Sequence, residues 1–245
     1  MTDLLGYDKI QVTLDRIKQF EPEEGYYLAF SGGKDSLVVK HLAERAGAKF
    51  DAHFSNTGLH PPELLHYIKE HHQDVIWEQP KKNMWTLILE NRMPPMRNAT
   101  YCCRILKEGA GLGRLVMTGV RAEESARRKK FRMVEMCNAN PAKRYLHPII
   151  DWTAEEVWQY IKDNNLPYCS LYDEGFKRVG CCFCPMAYDR KSHVQRFPNF
   201  YRAYIRTFQK VVETGKVPWK SGQEMVDWWL SDCAMPKDDD MNLFS

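Results

Sequence analysis

Tyr26-Tyr27-Leu28-Ala29-Phe30-Ser31-Gly32-Gly33-Lys34-Asp35-Ser36 is the stretch on which the fold turns. Tyr26 to Phe30 is a short apolar run of strand length, and it stops at two consecutive glycines. From residue 36 to 46 the period changes: Leu37, Val38 and Leu42 fall on one helical face, with Gly47 placed as a C-cap. A strand, a glycine loop and a helix therefore follow one another. The glycines let backbone amides turn inward and approach an anion closely. The helix adds its N-terminal amides and the positive end of its dipole. Lys34 supplies a mobile charge, and Ser31 and Ser36 supply hydroxyl donors. Together these residues read as a pyrophosphate cradle. The spacing is not that of the Walker loop, which has a longer glycine-to-glycine interval before its lysine.

The pattern continues on both sides. Ile10, Leu14 and Ile17 predict an amphipathic lead-in helix over residues 8–20. Downstream, residues 50–55, 74–77 and 114–119 read as strands, and 61–72 and 83–91 as helices. Such alternation implies parallel βαβ units and an α/β, doubly wound, mostly parallel sheet. Ligands of such sheets sit beyond the carboxyl ends of the strands. Thr153-Ala154-Glu155-Glu156 is a capping box opening a helix that runs to about Asn164. Beyond Cys184, Phe200, Tyr204 and Phe208 recur at helical spacing, and Met225, Trp228 and Trp229 suggest one more helix. We expect a nucleotide-binding domain over residues 1–190, including the cysteines, and a helical C-terminal extension over 191–245. Asp238-Asp239-Asp240 reads as a solvated terminus.

With 44% hydrophobic and 27% charged residues, the composition is that of an ordinary globular protein, and the net charge of +3 argues neither for nor against nucleic acid. The first residues lack the basic-then-apolar pattern of a signal peptide, and no apolar run approaches the ~18 residues of a membrane span. The expectation is a cytoplasmic protein without a membrane partner. In that reducing compartment the eight cysteines point to metal binding or redox chemistry rather than structural disulfides. Five of them fall in two tight groups, Cys102-Cys103 and Cys181-Cys182-Phe183-Cys184. A Cys-x-x-Cys turn beside Gly180 and a second pair from a distant loop make four thiolate ligands for one centre. Thiolates alone do not separate iron–sulfur from tetrahedral zinc.

Several of these motifs resemble one family. Ser31–Ser36 resembles the SGGxDS loop of the PP-loop ATP pyrophosphatases, which split ATP between the α and β phosphates. From about residue 26 to 186 the chain resembles the phosphoadenosine-phosphosulfate (PAPS) reductases, whose fold is adenine nucleotide alpha hydrolase-like. Asn56-Thr57-Gly58 is similar to the family's Asp-Thr-Gly, with asparagine in place of the aspartate. Residues 118–128 resemble its Gly-x-Arg-x-x-(Glu/Gln)-Ser-x-x-Arg block, which contacts the nucleotide and its anionic end; this maps to Gly119, Arg121, Glu124, Ser125 and Arg128. Arginines after a strand end also suit bidentate gripping of phosphate or sulfate on physical grounds. Lys129, Lys130 and Arg132 read as a solvated basic face. The resemblance implies catalytic roles for Lys34, Asp35, Arg121 and Arg128. It implies nucleotide contacts from Ser31, Gly32, Gly33, Lys34, Asp35, Ser36, Thr57, Gly58, Gly119, Arg121, Glu124 and Ser125. The cysteines resemble the set that holds a [4Fe–4S] cluster in adenylyl-sulfate (APS) reductases, giving Cys102, Cys103, Cys181 and Cys184 as ligands, with zinc as the alternative metal. Cys182 competes with Cys181 for its place. His147 reads as a packed structural histidine.

Three functions follow from the resemblance. The first is ATP-dependent adenylation with pyrophosphate release and Mg²⁺, in sulfur transfer from a donor protein to an acceptor, nucleic acid among the acceptors. The second is reduction of APS or PAPS to sulfite with a thioredoxin-like reductant. That chemistry uses a cysteine in a Glu-Cys-Gly-Leu-His tail; residues 240–245 do not match it, and Cys233 is the sole late cysteine. Reductase loops also tend to depart from SGGKDS, so the first reading ranks higher. The third is a non-catalytic, zinc-stabilised nucleotide-binding module.

Overall fold

The computed structural model describes Gly6, residues 8–107, Gly109, and residues 111–137, 140–187 and 189–231. Cys233 and Asp238–Asp240 lie outside the described residues. The chain forms two compact units, Met1–Lys81 with Cys103–Cys181, and Lys82–Cys102 with Cys182–Ser245.

The first unit is built on a six-stranded sheet. Its strands are β1 (Tyr26–Ala29), β2 (Phe50–Ser55), β3 (Ile76–Glu78), β4 (Leu115–Met117), β5 (Val134–Cys137) and β6 (Asn140–Leu146), in the order β3-β2-β1-β4-β6-β5. All neighbours are parallel except the edge pair β5–β6. The strand order reverses at β1, with β2 on one side and β4 on the other. The gap beyond the carboxyl ends of β1 and β4 is thus the topological switch point, where open α/β sheets bind ligands. Burial of Tyr26, Leu28, Val116 and Met117 fits a parallel sheet covered on both faces.

Helices α1 (Lys9–Gln19), α2 (Lys34–Ala46), α3 (Pro62–His71) and α6 (Ala154–Asp163) belong to this unit; α2 packs against both α1 and α6. Their ends follow local chemistry. Gly47 takes the left-handed C-cap position of α2 at φ 67°, and Thr153 and Glu156 close the expected capping box on α6. The β5–β6 hairpin is the one element of this sheet with no counterpart in the sequence pattern. Pro141, Lys143 and Arg144 interrupt the apolar run that marks the other strands.

The second unit is helical, with α4 (Met84–Asn91), α7 (His193–Arg196), α8 (Pro198–Val212) and α9 (Gly222–Leu230). Its core is aromatic: Trp229 is fully buried against Tyr204 and Phe208, and its indole donates to the Pro95 carbonyl at 2.8 Å. Helix α5 (Tyr101–Leu106) carries the chain from this unit back to the first.

At the amino ends of the strands Arg114 ties the sheet together. It donates to both Asp51 carboxylate oxygens at 2.7 and 2.6 Å, and to the Gly25 and Tyr26 carbonyls at 3.1 and 2.9 Å. Burial pushes the Asp51 carboxyl up, but hydrogen bonds from Arg114 and His53 outweigh it and hold the group below the usual aspartate range. A depressed folded pKa means the stabilisation is complete above about pH 4 and is lost as pH falls through the folded value. Asp51→Asn is therefore expected to cost about 1 kcal/mol at neutral pH, the partial exposure of the pair keeping the figure small. Urea unfolding of both proteins from pH 7 downward should show that difference shrinking in acid.

Candidate functional site

The loop between β1 and α2 lies at the switch point. Gly32 turns it with a φ of 71°, and a Cβ there would stand 2.6 Å from Leu64 Cδ1 and 2.8 Å from Ile68 Cδ1, so the loop presses flat onto α3. Ser36 Oγ donates to the Gly33 carbonyl at 2.9 Å and sits 3.2 Å from the Ser31 amide, bracing the turn from inside. Gly33, the N-cap of α2, has no side chain to cap it, and the first helical amide, that of Lys34, donates instead to the Tyr172 hydroxyl at 2.9 Å.

Charges gather on Asp35. The Lys34 ammonium lies 2.9 Å from Oδ2, and Arg121 Nε donates to Oδ1 at 2.6 Å. Arg121 is 4% exposed, and a buried guanidinium needs partners. It finds them in Asp35, in Glu123 at 2.7 Å and in the Trp152 carbonyl at 3.3 Å. Glu123 also accepts from the Ala154 amide at the start of α6; burial raises its carboxyl, while these bonds prevail and hold it below the ordinary range. Arg121 reaches Asp35 because β4 ends against the first turn of α2. A Cβ on Gly119 would lie 2.7 Å from the Asp35 carbonyl carbon and 2.8 Å from the Ser36 amide.

The remaining expected residues fall into two further groups. Glu124, Ser125 and Arg128 close a small turn of their own. Glu124 accepts from the Arg121 amide at 2.8 Å and pairs with the Arg128 guanidinium, and Ser125 Oγ accepts from the Arg128 amide at 3.1 Å. Beyond β2, the Gly58 amide donates to Asn56 Oδ1 at 3.1 Å, while Thr57 Oγ1 stands 3.3 Å from Cys181 Sγ and His60 Nε2 stands 3.7 Å from the same sulfur. Burial raises the Cys181 thiol, but Lys107, His60 and Thr57 together lower it to about 5. His147 is buried, its Nδ1 2.7 Å from Thr118 Oγ1, and burial lowers its pKa, so it packs as a neutral ring.

No sequence motif marks Tyr172, His60 or Glu123. Tyr172 reaches the loop across 138 positions of chain, and no local pattern marks it. Of the cysteines, Cys102 is buried and Cys103 partly exposed in α5, and Cys181 and Cys184 are partly exposed on either side of buried Cys182 and Phe183. Among the described residues no group of three or more His, Cys, Asp or Glu side chains is gathered to hold a metal ion. The donor chemistry suits a soft metal at Cys181, where the thiolate is favoured.

Residues 25–187 match the family described as phosphoadenosine phosphosulfate reductase domain. The chain belongs to this family. An adenosine 5'-phosphosulfate reductase of Oceanobacillus iheyensis is 31% identical over 180 residues, 64% of this chain and 69% of that protein. An uncharacterized protein of Methanocaldococcus jannaschii is 30% identical over 198 residues, 77% of this chain but 47% of its own length; the chain thus spans about half of that relative. Among solved structures, the PAPS reductase of Candida auris with phosphate superposes with a TM-score of 0.53 at 19% identity, covering 73% of this chain and 90% of that one. FMN adenylyltransferase of Candida glabrata, solved with FMN and an ATP analogue, gives 0.52 at 18% identity over 71% of this chain and 62% of the other. These likenesses show that a PAPS-reductase-family sheet is shared. No helix among the described residues is long and apolar enough to cross a membrane.

Gly119→Ala forces the end of β4 away from α2. The expected outcome is a loss of about 1–3 kcal/mol in urea unfolding, as for an overpacked core position, with weakened nucleotide binding in the same variant. A variant with unchanged stability and binding would show that the strand end has slack.

Proposed function

We propose that this PAPS-reductase-family enzyme binds ATP on the Ser31–Ser36 loop and transfers its adenylyl group to an acceptor oxygen, which sulfur then replaces. The observation that supports it is the intact cradle. All six loop residues are present at the switch point, with Lys34 and Arg121 both anchored on Asp35. In this reading the acceptor oxygen attacks the α phosphorus and the bond to the bridging oxygen of the β phosphate breaks. Pyrophosphate leaves with the electron pair, and a sulfur nucleophile later displaces AMP. Loop amides and the α2 dipole hold the departing pyrophosphate, and Lys34 follows its growing charge. Asp35 keeps Lys34 and Arg121 in place beforehand, which makes Arg121 a positioning residue. The Glu124–Ser125–Arg128 turn borders the nucleotide's anionic end, and Gly58 and Thr57 line the loop after β2. Magnesium would be held chiefly by the nucleotide's own phosphates, with Asp35 as the protein's carboxylate, and would supply charge neutralisation there.

The cysteine set enters by its sequence pattern. Cys102, Cys103, Cys181 and Cys184 would hold a [4Fe–4S] cluster, zinc being the alternative, and a cluster would supply thiolate-bound iron for sulfur or electron handling. A sulfur-donor protein, a nucleic-acid acceptor and a cytoplasmic setting complete the reading. A second reading, sulfonucleotide reduction with a thioredoxin-like partner, is favoured by the named reductase among the relatives.

Incubation with ATP and Mg²⁺ should yield AMP and pyrophosphate, and Lys34→Ala should lower that yield at least about a hundredfold. Sulfite release from APS with a dithiol, and no pyrophosphate from ATP, would replace the first reading with the second. Protein purified without oxygen is expected to absorb broadly near ~400 nm with about four irons per chain. A colourless protein with one zinc would remove the cluster.

A further inference from the structure

The phenol of Tyr172 stands inside the phosphate cradle. Its oxygen accepts from the Lys34 amide at 2.9 Å, while the ring lies under the Lys34 ammonium, 6.0 Å from its centroid. Trp158 holds the ring edge-on at 5.0 Å. A Cβ on Gly33 would come within 3.3 Å of the hydroxyl, so the loop has closed directly upon it. This is the position that an anion's oxygen takes at a helix N-terminus, filled here by a neutral oxygen. With its oxygen accepting from the Lys34 amide, the hydroxyl has its proton left to give.

The geometry points to Tyr172 as a phosphate-binding residue: its hydroxyl, pinned by the Lys34 amide, donates a hydrogen bond to an oxygen of the bound nucleotide's phosphate chain. The inference rests on the proposed nucleotide site and adds a residue to it. Tyr172 stays in place rather than swinging out, because its ring is packed against Trp158 and the bond from the Lys34 amide would be lost. Burial pushes the phenol well above its usual range, so the proton is retained at neutral pH and the group acts as a donor. In effect the first amide of α2 is relayed outward through a hydroxyl, and the cradle reaches further along the phosphate chain than backbone alone allows. A phosphate group beyond the α position gains from this; AMP does not.

Calorimetric titration of the full chain with pyrophosphate, ATP and AMP tests it, using wild type, Tyr172→Phe and protein carrying 3-fluorotyrosine at 172. Phenylalanine should weaken pyrophosphate and ATP about tenfold or more, as expected for a lost hydrogen bond to a charged group, and leave AMP unchanged. The fluorinated phenol is a stronger donor and a weaker acceptor, so it should bind pyrophosphate at least as tightly as wild type. A merely structural cap on Lys34 would move the other way. Equal or tighter pyrophosphate binding by Tyr172→Phe overturns the proposal, because the hydroxyl would then be idle or in competition for the Lys34 amide. Wild type that binds APS but neither ATP nor pyrophosphate ends the adenylation reading alone, and the same comparison on APS still decides Tyr172. Wild type that binds none of these ligands ends both.

Discussion

The absence of a side chain at Gly119 sets the distance on which the site depends. Because β4 ends with its backbone against the first turn of α2, the residue two positions later, Arg121, reaches Asp35 at 2.6 Å. A buried guanidinium costs several kcal/mol unless its donors are matched, so its other contacts are constrained as well. Glu123 and the Trp152 carbonyl supply them, and Glu123 in turn takes the first amide of α6. One close approach therefore fixes the relative positions of β4, α2 and α6 around the loop. The phosphate cradle inherits its shape from that arrangement rather than from the glycines alone.

The charges in the cradle nearly cancel. Lys34 and Arg121 face Asp35 and Glu123, two cations against two carboxylates, before any nucleotide is bound. A site of this kind does not attract polyanions by net charge. On the proposed reading its preference would come from backbone amides and hydroxyls aimed at fixed points, and from exchange of the Asp35 carboxylate for a phosphate oxygen at Lys34. Such an exchange would be gentle at the start and would strengthen as charge built on a leaving group, the differential that the proposed adenylation needs.

The strand–loop–helix core was readable because burial imposes a period, and the loop was readable because its chemistry demands glycine, lysine and serine at fixed offsets. Four of the six strands announce themselves as apolar runs or strand-length segments between helices. The β5–β6 hairpin does not: Pro141, Lys143 and Arg144 carry no alternation, and its pairing is decided by an edge that only the folded sheet creates. The site divides in the same way. Arg121 was visible as an arginine after a strand end, but its burial and its hold on Asp35 were not. The family resemblance assigns Thr57 to the nucleotide, while its hydroxyl stands beside Cys181. Tyr172 is brought to the loop from distant chain, and His60 meets Cys181 only through tertiary packing; a residue whose role is created by packing leaves no local signal.

Family membership alone leaves the reaction open, and the reason is chemical. ATP and a sulfonucleotide share the adenosine and the α phosphate; they differ in the group attached through the next oxygen. For ATP that group departs as pyrophosphate, carrying several negative charges that a loop of amides, Lys34 and a hydroxyl can neutralise. For a sulfonucleotide the reaction occurs at sulfur, one bond further out, and calls for an attacking thiolate rather than a deeper phosphate grip. On the proposed reading, a cradle that retains its lysine, both serines and a hydroxyl beyond the first helical amide would suit the charge of a leaving pyrophosphate. That balance of donors, more than the shared sheet, is what ranks adenylation above reduction for this chain.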